Sequence, residues 1–226
     1  MTVGGVDNLV GADSKTSSTG VPLPSDYQYS ESSKKASFTV EERKEQILDA
    51  ATHIIGKNGF WGFTVRQVAE ACNLTEPAIL YHFKNKEKLL VAVLSRRDDI
   101  DLHNMASELH VGLDRLWADP TEFGLWDLCL AAVQKNSKQP EIVRLYTIMQ
   151  GESLNSEHPA YAYFQNRERW ATSLFARAAK HDGYDDPARI AQLVLSEMDG
   201  MQIRWLRDLG HFDLVESWKA FRERFA

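Results

Sequence analysis

Four helix-start signals follow one another between Thr39 and Asn85, and this punctuation constrains the fold more than any other feature of the 226 residues. Thr39 with Glu42, and Thr64 with Gln67, have the capping-box spacing, in which the Thr hydroxyl accepts from the N3 backbone N–H while the N3 side chain accepts from the N-cap N–H. Thr75 starts a third helix, with Pro77 in the first turn, where a missing N–H is no loss. Asn85 caps a fourth, expected to run to about residue 109. Within the first helix Ile47, Leu48, Ala51, Ile54 and Ile55 have the i, i+1, i+4, i+7, i+8 spacing of a buried face. That helix is expected to end before Asn58-Gly59. Val65, Val68, Ala69 and Cys72 form the inner face of the second helix, and Ile79 and Phe83 that of the third.

Beyond residue 109 the periodicity stays helical over about 112–136, 140–154, 159–181, 187–208 and 212–225. The breaks are marked by Asp119-Pro120, Gln139-Pro140, His158-Pro159, Gly183, Asp186-Pro187 and Gly210. No run alternates with strand period, so the fold expected is all-α with about nine helices. The organisation expected is a tail (1–37), an N-terminal domain (38–86) and a C-terminal helical domain (87–226), the fourth helix being shared. The Ser-, Thr-, Gly- and Pro-containing start reads as a flexible tail, since it has neither the basic start nor the apolar core of a signal peptide. Apolar runs fall well short of the ~20 residues of a membrane span, so a soluble, cytoplasmic protein with no membrane partner is expected. Cys72 and Cys129 match neither a disulfide framework nor a zinc-binding spacing, and neither metal nor cofactor is expected.

The net charge of −6 looks unfavourable for binding nucleic acid, but its distribution matters more than its sum. Residues 34–97 carry 11 Lys/Arg against 7 Asp/Glu, whereas the rest carries 15 against 25. A basic head on an acidic body suits a protein that presents one end to phosphate.

Short helices joined by tight turns, the second and third separated only by residues 72–75, describe a helix-turn-helix over 64–83. The turn needs a residue that tolerates positive φ, and Asn73 is such a residue. Residues 64–83, TVRQVAEACNLTEPAILYHF, followed by Lys86, resemble the signature of the Tet repressor family, T-x-x-x-[IV]-A-x-x-x-G-[VL]-[ST], an aromatic-His-Phe cluster and a Lys three residues on. The resemblance covers about residues 39–97. Two departures stand in it: Asn73 where the family usually has Gly, and Leu80 where Tyr is common.

A third helix of this size suits the major groove, its N-terminal residues toward base edges. Thr75, Glu76, Pro77, Ala78, Tyr81 and His82 are the candidates there. Thr64, Arg66, Lys84 and Lys86 are candidates for phosphate, through side chains and unpaired N–H groups at helix starts. Thr64 and Thr75 are also caps, and Phe83 reads as core.

In the C-terminal region, charged residues interrupt apolar stripes and suggest an internal ion pair, a ligand site or a subunit contact. The pocket candidates are Trp126, Leu130, Tyr146, Met149, Glu152, Arg167, Trp170, Glu197 and Met201. The resemblance implies a small-molecule pocket among the fourth to eighth helices and a homodimer formed by the last two, with Ile190, Val194, Trp205, Leu214, Trp218 and Phe221 as apolar interface candidates. It implies a repressor released from palindromic double-stranded operator DNA by a small-molecule effector. The chain has no phosphate-binding glycine loop, no G-x-S-x-G elbow and no H-E-x-x-H, so no enzymatic activity is expected. The competing expectation is a helical ligand-binding or adaptor protein that does not read DNA.

Overall fold

The helix starts signalled by Thr39, Thr64, Thr75 and Asn85 form where the local chemistry puts them. The computed structural model describes residues 38–225; the expected tail, 1–37, lies outside them. The helices are α1 (Val40–Gly62), α2 (Val65–Ala71), α3 (Glu76–Phe83), α4 (Lys86–Glu108), α5 (Leu125–Ser137), α6 (Pro140–Glu152), α7 (Tyr161–His181), α8 (Pro187–Arg207) and α9 (Leu214–Arg222). Both capping boxes close: Thr39 Oγ1 accepts from Glu42 N–H at 3.2 Å, and Thr64 Oγ1 from Gln67 N–H at 3.2 Å, with the return bonds at 2.8 Å in each case. Asn85 Oδ1 accepts from Lys88 N–H at 2.8 Å and starts α4. The described residues contain no strand.

Two expectations need correction. Helical bonding in α1 does not stop before Asn58 but continues to Gly62, with its direction broken at Gly59 (φ 70°, ψ 176°), a conformation open essentially to glycine. A Cβ on Gly59 would lie 2.3 Å from Glu152 Oε1 of α6, and the Phe60 N–H at the break donates to Glu152 Oε2 at 2.9 Å. The segment expected over 112–136 is also not continuous. Leu113–Trp117 is a 3-10 turn, an irregular stretch passes through Pro120, and α5 begins only at Leu125, whose N–H donates to Asp182 Oδ2 at 2.9 Å. Proline has no N–H with which to continue a helix, and the acceptor that starts α5 comes from the end of α7.

From Phe38 the chain forms one packed unit with two apolar cores. The N-terminal core joins Ile47, Ala51, Ile55, Phe63, Val68, Ile79, Phe83, Leu90 and Leu94, and extends into the C-terminal helices through Leu145, Met149, Ala160 and Phe164. The other gathers Leu116, Leu128, Cys129, Leu174, Val194, Trp205, Leu214 and Trp218. The N-terminal core thus continues onto α6 and α7, chiefly through α1, which packs along α6 more extensively than along α4.

Candidate nucleic-acid interface and effector cavity

The turn between α2 and α3 works as its sequence demands. Asn73 takes φ 54°, and Leu74 N–H donates to Ala69 O at 2.8 Å, closing the end of α2. Ile79 and Phe83 anchor α3 in the core, leaving the opposite face to solvent. Pro77, Leu80, Tyr81 and Lys84 stand there at i, i+3, i+4 and i+7. Tyr81 is 82% exposed and touches only the edge of the His82 ring, 5.3 Å between centroids, among the ring contacts of the described residues. Thr75 and Glu76 are exposed at the start of α3; Ala78 and His82 are half-buried beside the exposed face. Leu80 belongs to this face although the sequence marked it only as a departure. The i+3 spacing from Pro77 was the signal.

The phosphate candidates lie around the same face and differ in freedom. Thr64 and Thr75 use their oxygens as caps, accepting from Gln67 and Ala78 N–H, which leaves each hydroxyl proton for an outside acceptor. Arg66 pairs with Glu70 at 2.8 Å along the exposed side of α2, a bond worth little in solvent. Lys84 is exposed, with its backbone held at φ 65° between α3 and α4. Lys86 departs from the pattern: its ammonium lies 4.5 Å from the ring centroids of both Phe60 and Phe63, and burial pulls its pKa down. Its side chain fastens the start of α4 to the aromatic corner formed by Phe60 and Phe63.

Between α4, α5, α6, α7 and α8 lies a cavity of about 320 Å³, within the size range of small-molecule sites. Met105, Val143, Phe175 and Met198 give it apolar walls; Asp101, Lys135, Gln150, Arg167, Trp170 and Asp199 bring polar or aromatic groups to the lining. Asp101 is held by Arg97 at 2.8 Å and Lys135 at 2.9 Å, and desolvation lowers the Lys135 pKa in spite of that partner. Asp98, almost wholly buried, accepts from Arg167 Nε at 3.0 Å and from the Tyr163 hydroxyl. The Tyr146 hydroxyl lies 2.7 Å from the Leu94 carbonyl, which takes its single proton, and 3.2 Å from Asp98. Burial first, and Asp98 with it, pushes both phenols well above the usual tyrosine range. The Arg167 guanidinium also covers the Tyr146 ring at 4.9 Å.

Of the expected pocket residues, Tyr146, Arg167 and Trp170 meet at this cavity. Met149 is in the N-terminal core, Glu152 sits on the α1 break, and Met201 is in the C-terminal core. Trp126 packs on Trp218, Phe221 and Phe225, while Leu130 lines a shallow depression beside His110. Glu197 is half-buried outside the lining. Of the residues expected at a subunit interface, Val194, Trp205, Leu214 and Trp218 are buried in this chain's own core, and Ile190 and Phe221 pack against it. The exposed large apolar residues on α8 are Leu193 and Ile203, of which Ile203 also lines the cavity.

Comparison with known proteins places the helix-turn-helix. The profile of "Bacterial regulatory proteins, tetR family" matches residues 47–93. The uncharacterized HTH-type transcriptional regulator YvkB of Bacillus subtilis (strain 168) is 40% identical over 52 residues, 23% of this chain and 28% of that protein. The HTH-type transcriptional regulator RutR of Escherichia coli (strain K12) is 38% identical over 66 residues, 29% of this chain and 31% of RutR. The chain thus spans under a third of the length of these relatives. A transcriptional regulator from Saccharomonospora viridis, solved in complex with choline, superposes with a TM-score of 0.62 at 19% identity, covering 81% of this chain and 95% of that one, and shows that the fold is shared beyond the helix-turn-helix. No helix among the described residues is long and apolar enough to cross a membrane. Over residues 47–93 the chain is thus similar to the tetR family of bacterial regulatory proteins.

Proposed function

We propose that this chain is a ligand-responsive transcriptional regulator, a cytoplasmic repressor that leaves a palindromic operator when a small molecule occupies the cavity among α4–α8. One observation carries the reading: a single chain combines an outward α3 face, with exposed Pro77, Leu80, Tyr81 and Lys84, and a cavity whose α6 wall packs on the first DNA-binding helix. A helical adaptor that does not read DNA leaves the exposed α3 face without a purpose. Thr75, Glu76, Pro77, Ala78, Tyr81 and His82 address base edges in this reading. Thr64, Arg66, Lys84 and the N–H groups at the start of α4 hold phosphate. Residues 38–86 act as the DNA-binding domain and 87–226 as the effector and dimerisation domain. A twofold dimer through α8 and α9, with Leu193 and Ile203 exposed on α8, sets two α3 helices on successive turns of one side of the duplex.

The mostly apolar lining favours an effector with a hydrophobic body and a polar group directed at Gln150, Asp199 or Arg167. Compounds of that kind, screened by thermal shift, are expected to raise the melting temperature of the parent but not of Ala171→Trp, which fills the cavity. At saturation such a compound should weaken binding to the DNA upstream of the gene by about 5- to 150-fold, the usual span of allosteric coupling. Unchanged DNA affinity with every cavity-bound compound would end the ligand-responsive part of the reading.

A further inference from the structure

Helix α6 has two working faces. Ile142, Val143, Tyr146, Thr147, Gln150 and Gly151 line the cavity, whereas Leu145, Met149 and Glu152, at i, i+4 and i+7, face the N-terminal helices. Leu145 and Met149 are fully buried in the N-terminal core, and the Cβ of Leu145 lies 3.6 Å from where a Cβ on Gly56 of α1 would stand. At the end of this face the Glu152 carboxylate serves as a tertiary cap: Oε2 accepts the Phe60 N–H at the α1 break, and Oε1 occupies the space that the missing Gly59 side chain leaves. A charged acceptor makes that bond stronger than a neutral one.

Two further groups converge on the carboxylate. Lys86, at the start of α4, feels its charge while lying over the Phe60 and Phe63 rings. His158, from the α6–α7 connection, has its side chain fully enclosed, with Nε2 3.6 Å from Glu152 Oε2. Its ring meets Phe60 at 5.0 Å and Trp61 at 5.9 Å. His158 Nδ1 accepts from Ala160 N–H at 3.2 Å, so the neutral ring carries its proton on Nε2, toward Glu152. The α1 break and the α6–α7 connection thus meet one carboxylate, on the residue next to Gly151 of the cavity wall, with the Lys86 ammonium within its field.

We propose that Glu152 is the positioning residue through which the cavity governs the DNA-binding helices: a molecule pressing on the last turn of α6 draws Glu152 off the Gly59 break and frees α1 and the start of α4. Packed helices transmit small displacements because they pass between discrete arrangements and do not deform continuously. This inference rests on the ligand-responsive reading above, and its test separates the two.

Gln150→Cys places a thiol in the cavity wall, and N-phenylmaleimide attached to it stands in for an effector; Cys72 and Cys129 are buried and stay unlabelled. Two quantities are read on the full chain: amide hydrogen exchange of residues 57–63, and affinity for the upstream DNA. With Glu152 intact, the label is expected to speed exchange by roughly tenfold or more, the loss of a hydrogen bond to a charged group, and to weaken DNA binding. In a Glu152→Ala background, exchange should already be fast and the label should add little to either reading. Glu152→Gln keeps an oxygen for Phe60 N–H but no charge for Lys86, and should respond between the two; if Glu152→Ala does not fold, this variant carries the comparison. A label that acts equally with and without the Glu152 carboxylate, or that leaves exchange of 57–63 unchanged, overturns the proposal. Exchange that responds through Glu152 in a chain that binds no DNA selectively leaves the relay standing and removes the regulator reading.

Discussion

Tyr81→Ala combined with Lys84→Ala is expected to lower affinity for operator DNA by about 5- to 150-fold, the 1–3 kcal/mol of one base-edge contact, and to reduce the salt slope by about one for each phosphate that Lys84 no longer neutralises. Neither side chain is part of the core: Tyr81 projects from α3 and Lys84 is exposed just beyond it. The fold should therefore be unchanged, and far-UV circular dichroism with a melting curve checks this. Fluorescence anisotropy at two salt concentrations separates the effects, since removing Tyr81 relaxes sequence preference while removing Lys84 weakens all duplexes alike. Parental affinity and slope in the double variant would take α3 out of the interface.

The second large effect is on stability. Arg167→Met leaves Asp98 buried beside two phenols with no cation, and removing one partner of a buried pair costs about 3–5 kcal/mol. Because Tyr163 still donates to Asp98 and Arg167 is 32% exposed toward the cavity, the low end, about 3 kcal/mol, is expected. For a chain of this size that corresponds to a melting temperature lower by roughly 6–12 °C. Adding Asp98→Asn removes the stranded charge while keeping an acceptor for Tyr163, so the double variant should melt above Arg167→Met alone. A single variant that melts within about 2 °C of the parent would show that solvent already screens the pair.

What the sequence disclosed follows the range of the interactions concerned. Caps at Thr39, Thr64, Thr75 and Asn85 are satisfied within three residues, so their spacing announces them. The break at Gly59 and the start of α5 depend on Glu152 and Asp182, each supplied by a distant helix, and no local pattern reveals such acceptors. The same limit applies to the body. Arg167 stands out as a charge that interrupts an apolar stripe, Tyr146 and Trp170 as aromatic members of stripes so interrupted, and all three reach the cavity. Asp101, Lys135, Gln150 and Asp199 sit on mixed stripes, where a polar residue facing inward looks like one facing solvent. Val194, Trp205, Leu214 and Trp218 were chosen for apolarity, which marks the face a helix turns to its own core before any face it offers a second subunit. Leu193 and Ile203 are exposed on α8 although, as apolar residues of a helical stripe, nothing in the local pattern sets them apart from the buried ones.

The most direct test of the central claim, that this chain is a DNA-binding regulator, is equilibrium binding of the purified protein to the intergenic DNA upstream of its gene at two salt concentrations, against an unrelated duplex of equal length. The account predicts selective binding whose logarithm falls with log salt at a slope of about −3.6 or steeper, from Arg66 and Lys84 in each of two subunits at about 0.9 per phosphate. Equal affinity for both duplexes, or an affinity indifferent to salt, would contradict it.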